Sequence, residues 1–589
     1  VNEVKGVDYG FANKFIAGKA SAARLRDIKE VIANLQFPQT MRWGSYSFRF
    51  ARPIRWLVAL YGDEVIPFSI NDVETGAKTY GHRFLGKEVT LKKPTDYLET
   101  LKREYVIADY DERKALIRQQ IETLAKENGW VVPIDEALLD EVTNLVEYPT
   151  ALYGTFDASF LTLPKEVLIT SMREHQRYFP VEDKEKKLLP YFITVRNGNR
   201  DHLDRVAKGN EKVLRARLAD AAFFYEEDQK LSIDAALKQL EQIVYHEQLG
   251  SVGDKVRRIV AIVTKLSDTL AIAEETKAIA IRAAEICKFD LVTQMVNEFT
   301  ELQGYMGEVY AKLAGEKAEV ARAIEEHYKP RFAGDATPTS LPGKLVSIAD
   351  KLDTIITCFS IGLIPTGSQD PYALRRQAAG IVQMLADDDI AMDVEQLIQL
   401  GISICKEQLS FKRAVAEVEK DLGEFFNIRV KAFLQDKGVP FDVIDAVISD
   451  RLGRVPAAYK KAMFIVEKRN DETFKKAIEA LSRVTNIAKK AEKVTRVDED
   501  LFEKEEERAL YLKYIEVKER TKSALQAGKI DEAFAALASM TDIINNYFDH
   551  IMVMADDERI RENRLAQMRE LAEVIRSFAN FQALVIQSA

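Results

Sequence analysis

The sequence holds few of the residues that build disulfide frameworks and metal centres. Only three cysteines and six histidines occur in 589 residues. Cys287, Cys358 and Cys405 lie far apart and form no CxxC pair, so neither a disulfide framework nor a zinc knuckle is expected. The histidines form no HExxH pair, which gives a histidine-rich metal site little support. This cysteine usage predicts a cytoplasmic protein.

Long apolar runs and the common nucleotide loops are also missing from the sequence. No stretch approaches the about 18–20 consecutive apolar residues of a transmembrane helix, so no membrane association is expected. There is no GxxxxGK[ST] loop, GxSxG elbow or GxGxxG motif in a βαβ setting, and independent ATP chemistry by this chain is unsupported. Because the chain begins at Val1 with no signal pattern, we expect it to be a fragment of a longer protein.

The charge balance limits the kinds of nucleic-acid binding that are open to the chain. Lysine and arginine total 84 against 93 acidic residues, a net charge of −9, which argues against a general nucleic-acid coat. Binding through local cationic patches stays open, because phosphate contacts need positive charge only where they form. The length predicts about three to five domains.

Hydrophobic patterns divide the chain into an α+β region and a helical remainder. In residues 53–67, two short apolar segments flank Gly62-Asp63 and predict a hairpin. Further strands are expected at 79–84 and 188–195, and a helix at 111–128. Strand signals fade after about residue 235, and a period near 3.6 predicts helices, including those at 254–270, 407–437 and 471–494.

Several short segments, in the same order along the chain, resemble the bacterial glycyl-tRNA synthetase beta subunit. Their ordered recurrence from about residue 40 to the C-terminus carries the resemblance more than any single motif does. The segments are Met41–Gly44, Gly81–Phe84, Glu174–Pro180, Gly209–Lys212, Arg215–Phe224, Pro330–Asp335, Ile348–Asp353, Asp370–Arg376 and Asp549–Met554. The family's usual N-terminal segment would precede Val1.

The resemblance implies a multidomain, mainly α architecture. Residues 1–235 are expected to form an α+β tRNA-handling domain similar to the editing-type domain of the phenylalanyl-tRNA synthetase beta subunit. Residues 236–385 are expected to form an HD-like helical domain, and 386–454 a helical linker or body region. An all-α anticodon-binding domain of the arginyl-tRNA synthetase type is expected at 455–589.

The resemblance also implies a division of labour between two kinds of subunit. Two alpha subunits hold the class II active site and use ATP and Mg²⁺, and two beta subunits bind tRNA-Gly in an α2β2 complex. This chain is expected to bind no cofactor itself, to provide no catalytic residue and to lack its own adenylation site.

The HD-like region is where a second function would lie. A working HD phosphohydrolase holds a divalent metal with histidines and aspartates. At the pair position this chain reads Lys288-Phe-Asp-Leu291, so Phe289 stands where the histidine belongs. Asp290 and Asp350 are the remaining, degenerate HD positions, and His246 is the only nearby upstream histidine that the sequence suggests. We expect a retained fold without metal, and a metal-dependent phosphohydrolase acting on nucleotides or RNA is the alternative.

Eleven residues are candidate tRNA contacts, and each group has a structural alternative. Arg173, Arg177 and Tyr178 either meet phosphate and an unpaired base or form a buried aromatic turn. Arg375 and Arg376 follow a helix start at Asp370-Pro371 and contact RNA phosphate, another subunit or only solvent. In a continuation of the helix predicted at 471–494, a cationic stripe is expected to track the RNA backbone or to form a solvated face, and two more arginines lie near the C-terminus. These last candidates are Arg483, Lys489, Lys493, Arg496, Arg561 and Arg564. A helical scaffold without RNA is the third, least favoured hypothesis.

Overall fold

The computed structural model describes residues 2–4, 7–9, 18, 20–387, 390–448, 453–493 and 495–585. The chain divides into two compact units, Val1–Tyr225 and Glu226–Ala589. The division falls inside the helix Leu203–Asp228, slightly before the boundary expected at residue 235. The finer division of the second unit into three domains stays a prediction.

The first unit combines short strands with helices, as expected for the α+β region. Its strands are β1 Asn2–Val4, β2 Val7–Tyr9, β3 Leu57–Val58, β4 Leu60–Tyr61, β5 Glu64–Val65, β6 Ser69–Ile70, β7 Val73–Gly76, β8 Lys78–Tyr80, β9 Glu88–Thr90, β10 Pro149–Thr155, β11 Phe179–Glu182 and β12 Leu188–Asn197. Its helices are α1 Ser21–Leu25, α2 Ile28–Ala33, α3 Tyr97–Arg103, α4 Tyr110–Asn128, α5 Glu136–Leu145, α6 Lys165–Thr170 and α7 Leu203–Asp228.

The core of the first unit lies between one antiparallel sheet and two helices. The sheet has the order β10-β12-β11, and Ala151 of β10 pairs with Val195 of β12. Buried apolar residues of α4 and α5, such as Ile121 and Leu139, pack on Phe179 and other sheet residues. The helix predicted at 111–128 and the strand predicted at 188–195 are confirmed by α4 and β12.

A tight hairpin joins β4 to β5, as the sequence predicts. Tyr61 pairs with Glu64, and Gly62 has a φ of 66°. That positive φ is accessible to glycine without the steric cost of a β-carbon. The strand expected at 79–84 is shorter and ends at Tyr80.

In the described residues of the second unit, the only strands are those of one short hairpin, β13 Val244–His246 with β14 Gly250–Ser251, and helices dominate the rest. That hairpin was not expected from the sequence. The helices are α8 Ile233–Leu240, α9 Val252–Thr269, α10 Glu274–Ile286, α11 Gln294–Glu298, α12 Tyr305–Leu313, α13 Ala318–Glu326, α14 Leu341–Ser360, α15 Leu374–Leu385, α16 Val394–Gln408, α17 Val415–Asp436, α18 Phe441–Val447, α19 Val455–Lys468, α20 Glu472–Ala488, α21 Glu505–Gln526, α22 Ile530–Ala538, α23 Thr541–His550 and α24 Glu558–Phe578. In the parts of the chain that the structure describes, none of these helices has the length and apolar character needed to cross a membrane.

Helix α14 is the central element of this unit. Every residue from Pro342 to Ser360 is buried, because α9, α10, α13, α15 and α16 surround it. The Ser340 side chain caps its start by accepting a hydrogen bond from the Gly343 amide at 3.1 Å. Apolar residues on all sides suit a helix in such a position. The charged residues within it must therefore find partners inside the protein.

Candidate nucleic-acid interface and lysine–aspartate centre

The cationic residues of the predicted stripe do not share one helix: Arg483 lies on α20, whereas Lys489, Lys493 and Arg496 follow its end. Helix α20 ends at Ala488, and the following residues run along α24. Arg569 of α24 donates to the Lys493 carbonyl at 3.1 Å and to the Thr495 carbonyl at 2.6 Å. Asn563 and Asp498 exchange two hydrogen bonds further along. The predicted continuous helix is wrong, because side chains from α24 bind the backbone of this segment. Residue 494 lies outside the described residues.

Three of the predicted cations along this edge, which is formed by α20 and the segment after it, are exposed and have no ion pair among the described residues. Arg483 lies over the Phe548 ring, with its guanidinium carbon 4.7 Å from the ring centroid. Lys489 donates to Gln582 at 2.5 Å, and Arg496 is exposed. Solvent can reach all three groups, so each is free to approach a phosphate.

Lys493 differs from these three because two carboxylates hold it. Its Nζ lies 3.1 Å from Glu558 Oε1 and also bonds to Glu562. The hydrogen bond to Glu562, followed by that to Glu558, raises the pKa of Lys493. Its positive charge is locally balanced, so its attraction for phosphate is weaker than sequence spacing suggests.

Arg561 and Arg564 bind a loop of the protein itself. Arg564 is buried; it donates to Glu507 at 2.8 Å and to the Met552 carbonyl at 3.0 Å. Arg561 donates to the Ala555 carbonyl at 2.9 Å. Arg564 therefore lies out of reach of RNA in this structure, contrary to our expectation, and both arginines shape the loop between α23 and α24.

That loop presents two apolar side chains to solvent. Met552 is 75% exposed and Met554 is 44% exposed, while Ile551 and Val553, which each precede one of them, are buried. All four side chains are apolar, so the sequence alone does not distinguish the exposed methionines from the buried pair.

In the first unit, Arg173 and Arg177 lie on an irregular turn that follows α6. Residues Ser171–His175 form a π-helical turn, and Arg177 has a φ of 59°. Arg173 pairs with Asp135 at 2.6 Å, and Arg177 with Glu141 at 2.5 Å. Both arginines are partly exposed, so the tRNA prediction for them stays open.

Tyr178 is enclosed by the protein. Its ring stacks on Phe192 with centroids 4.5 Å apart, and its hydroxyl donates to Asn210 at 2.6 Å. Burial raises the pKa of Tyr178 to about 12. The ring offers no face to an unpaired base in this conformation, so the alternative of a buried aromatic turn applies to it.

Asp370 does not start a helix as the sequence suggested. Its carboxylate accepts from the amides of Leu374 and Arg375 at 2.8 and 2.9 Å, and α15 begins only at Leu374. Ala373, with a φ of 52°, forms the N-cap. Arg375 is half-buried, whereas Arg376 is exposed and lines a cavity beside α14.

The degenerate HD position Asp350 contacts two lysines in the floor of that cavity. Asp350, Lys255 and Lys288 together are called the lysine–aspartate centre. Lys288 Nζ lies 2.8 Å from Asp350 Oδ2, and Lys255 Nζ lies 2.9 Å from Asp350 Oδ1. Burial disfavours the carboxylate, but the two ammonium charges outweigh it and hold the pKa of Asp350 well below its ordinary value. The sequence missed both lysines, because they are far from Asp350 along the chain.

His327, and not His246, is the histidine beside Asp350. Its Nε2 lies 3.8 Å from Asp350 Oδ2 and 2.9 Å from Lys288 Nζ. Its Nδ1 bonds to the Ile324 carbonyl, which can only accept, so Nε2 is the acceptor for Lys288. Burial and the Lys288 charge lower the pKa of His327 well below 6.5. His246 instead accepts from the Gln248 amide at 3.1 Å.

Asp290 is bound separately by the backbone. Its Oδ2 accepts from the amides of Gly304 at 2.6 Å and Gly307 at 3.1 Å, and burial raises its pKa to about 6. Phe289 beside it is buried. The donors do not fit a divalent metal, since ammonium groups hold Asp350 and backbone amides hold Asp290. Within the described residues, no group of three metal-ligating side chains converges.

Two families of known proteins match the chain. A family described as "Glycyl-tRNA synthetase beta subunit" matches residues 1–449, and one described as "DALR anticodon binding domain" matches residues 477–581. Among similar proteins, the "Glycine--tRNA ligase beta subunit" of Halalkalibacterium halodurans is 57% identical over 587 residues, which cover 100% of this chain and 85% of the relative. The proteins of the same name from Shouchella clausii and Bacillus subtilis are each 51% identical, covering 100% of this chain and 85% and 84% of the relatives.

The match covers the α+β unit, the lysine–aspartate centre and the C-terminal helices that carry the exposed cations. The chain belongs to the glycyl-tRNA synthetase beta subunit family, and its C-terminal helices form a DALR anticodon-binding domain.

Proposed function

We propose that this chain binds tRNA-Gly through its C-terminal domain and presents it to a catalytic alpha subunit in an α2β2 complex. The exposed edge with Arg483, Lys489 and Arg496, inside a domain of anticodon-binding type, is the observation that carries the proposal. The printed name of the relatives, a beta subunit, supports an alpha partner. The cytoplasm is the proposed location.

Two kinds of contact are proposed for the anticodon arm. The three cations attract the phosphate backbone, and this part of the affinity depends on salt. Met552 and Met554 provide apolar contacts to unpaired bases, which salt does not screen. Since Arg564 fixes the backbone of the loop, the methionines stay in place without a large ordering cost on binding.

The test is tRNA-Gly affinity of the full chain measured at several salt concentrations. Arg483→Gln and Arg496→Gln should each weaken binding for every tRNA sequence tested and lower the salt slope by about one unit. Arg520→Gln is the matched control, because Arg520 is exposed on α21 in the same domain and pairs with Glu516. If both variants bound tRNA like the control, this interface would be ruled out.

Adenylate formation is assigned to the alpha subunit, which would hold ATP and Mg²⁺. Such a site must place the ATP α-phosphate in line with a carboxylate and neutralise developing charge. Class II synthetases build it on a broad antiparallel sheet, and the largest sheets among the described residues have three strands. Glycine-dependent ATP–pyrophosphate exchange distinguishes adenylate formation by the alpha subunit from adenylate formation by this chain. The isolated chain should give none, and exchange that survives removal of contaminating alpha subunit would overturn the assignment.

The region around Asp350 is proposed to be an HD-like domain without phosphohydrolase activity. Phe289 supplies no metal ligand, and a metal at Asp350 would have to displace two ammonium groups. Purified chain should not hydrolyse nucleotides or RNA phosphates with Mn²⁺. Turnover that Asp290→Ala abolished would show that the alternative function is correct.

A further inference from the structure

A cavity of about 520 Å³ opens above the lysine–aspartate centre and carries an excess of positive charge. Its cationic wall residues are Lys255, Lys288, Arg331, Lys351 and Arg376. The acidic ones are Asp350 and Glu301. A cavity of this size suits a ligand as large as a mononucleotide.

Most of this charge is buried, so it is costly without a compensating anion. Lys255, Lys288 and Lys351 are each only 5–6% exposed. Asp353, beneath the cavity, pairs with Lys255 at 3.0 Å but also with the buried Arg258 at 2.6 Å. Burial holds the pKa of Lys351 at about 7, against an ordinary value of 10.5. An anion in the cavity would offset the penalty that a surplus of buried cations carries.

The three lysines supply charge but few free donors. Each ammonium group already meets acceptors or a ring of the protein. Lys288 contacts Asp350 and His327 and lies 4.1 Å from the Tyr328 ring centroid. Lys255 contacts Asp353, Thr354 and the Asp350 carbonyl. Lys351 contacts Ser347 and the carbonyls of His327 and Lys329. These contacts fix the ammonium groups in the cavity wall, where the charges of Lys255 and Lys288 set the electrostatic potential of the cavity.

Two arginines at the wall retain donors for a ligand. Arg376 is exposed on α15, and no ion pair involves it within the part of the chain that is described. Arg331 Nη2 has only long contacts of 3.4 Å, to Glu325 and to the Gln303 carbonyl, so its guanidinium group is weakly held by the protein. One guanidinium group can donate two parallel hydrogen bonds to two phosphate oxygens, whereas an ammonium group acts as a single point charge.

Aromatic side chains give the cavity a second kind of contact. Tyr328 and Tyr372 line it, and Tyr372 is 38% exposed. Aromatic rings at the wall of a cationic cavity can stack on a base attached to a phosphate. This combination favours a phosphate ester of a nucleoside over a bare inorganic anion.

We propose that this cavity binds the phosphomonoester group of a nucleotide, with Arg331 and Arg376 as donors and the buried Lys255 and Lys288 as fixed counter-charge. The group can come from a free nucleoside monophosphate or from the 5′ end of an RNA, since both present the same dianion. The site binds the ester and leaves it intact, because the surrounding residues do not provide a metal-binding set.

The test measures binding of adenosine and guanosine 5′-monophosphate to the full chain by calorimetry, with inorganic phosphate as a competitor. A second arm compares two short RNAs that differ only in a 5′-phosphate. Arg376→Gln removes a rim donor without opening the core, and Arg331→Gln removes the second. Lys265→Gln is the charge-matched control, because Lys265 is exposed on α9, about 15 Å along the helix from Lys255.

Saturable binding in either arm, weakened about tenfold by Arg376→Gln and unchanged by Lys265→Gln, is the expected result. The arm that responds identifies the source of the phosphate. The proposal fails if neither mononucleotides nor the phosphorylated RNA bind, if the RNAs bind equally with and without their phosphate while the mononucleotides do not bind, or if both arginine variants bind like the control. Anticodon-arm affinity is measured beside it with the Arg483→Gln variant, so that failure here is distinguishable from failure of the tRNA interface.

Discussion

Arg564 Nε donates to Glu507 Oε1 across 2.8 Å, and this buried pair joins α24 to α21. Glu507 Oε2 also accepts from the amides of Glu503 and Lys504 at 2.9 and 3.0 Å. The carboxylate thus closes the first turn of α21 while it neutralises Arg564. A side chain that sequence spacing offers to RNA is used here to build the domain.

Replacing Arg564 should destabilise the C-terminal domain strongly. Arg564→Met leaves the Glu507 carboxylate buried without its partner, which costs about 3–5 kcal/mol. The loss should appear as a lower urea midpoint for unfolding of the C-terminal helices. Arg561→Met is the matched control: Arg561 is half-buried and donates only to carbonyls, so about 1 kcal/mol is expected. Equal, small effects of both variants would contradict a structural role for the buried pair.

Removing the negative charge beside Lys493 should strengthen tRNA binding. Glu562→Gln frees the Lys493 ammonium from one of its two carboxylates and takes away repulsion of phosphate. We expect an affinity gain of about two- to fivefold at low salt that shrinks at high salt. Glu519→Gln, on an exposed face of α21, makes the same charge change away from this edge. A similar gain in both variants would mean that net charge, and not the Lys493 site, controls binding.

Alanine substitutions at two glycines inside helices should have opposite effects on stability, because one glycine is closely packed and the other faces open space. A β-carbon at Gly401 of α16 would lie 2.4 Å from Ile356 Cδ1 and 2.7 Å from Leu352 Cδ2 of α14, whereas one at Gly423 of α17 would meet nothing within 4 Å. Gly401→Ala should cost about 1–3 kcal/mol through overpacking. Gly423→Ala should gain about 0.4–1 kcal/mol by reducing the freedom of the unfolded chain. Urea unfolding of the two variants tests this, and a stabilising Gly401→Ala would show that α14 and α16 are not in close contact.

Local sequence patterns correctly predicted those helices and turns whose conformation depends mainly on neighbouring residues in the sequence. Helix α4, predicted at 111–128, differs by one residue at its start, and the β4–β5 hairpin lies at Gly62-Asp63 as expected. The end of α20 was not predictable in this way. It depends on Arg569 and Asn563, which are distant in sequence and bind the backbone after Ala488.

The candidate sites show the same limit more strongly. The sequence shows that Phe289 stands at a histidine position, but it does not show that Lys255 and Lys288 form ion pairs with Asp350. His327 and Asp350 are on different helical segments, and no spacing rule links them. Tyr178 is of a residue type that can stack on bases, and only the structure shows that its ring is stacked on Phe192 inside the protein. Burial and long-range pairing decide which polar residues are free to bind.

The Asp290 carboxylate should make the second unit less stable as the pH rises from about 4 to about 6. Burial raises its pKa to about 6 from 3.8, and Oδ1 has no hydrogen-bond partner among the described residues. The native state therefore retains a proton in this range that the unfolded state has released, so the unfolding free energy falls with pH and stays reduced above 6. Asp290→Asn keeps an oxygen for the amides of Gly304 and Gly307 and removes the charge. It should raise the unfolding free energy by about 2–3 kcal/mol at pH 7.5, with little gain near pH 4.5. Urea unfolding at the two pH values gives the measurement.

Asp290→Ala is the matched comparison for this carboxylate. It removes the charge but leaves the two glycine amides buried without an acceptor. Each unsatisfied amide costs about 1–3 kcal/mol, so this variant should lose stability at pH 4.5, where the wild-type carboxyl is mostly protonated. At pH 7.5 the relief of the buried charge should offset part of that loss. If Asp290→Asn and Asp290→Ala were equally destabilised at both pH values, the packing of this side chain, and not its charge, would control the stability of the region.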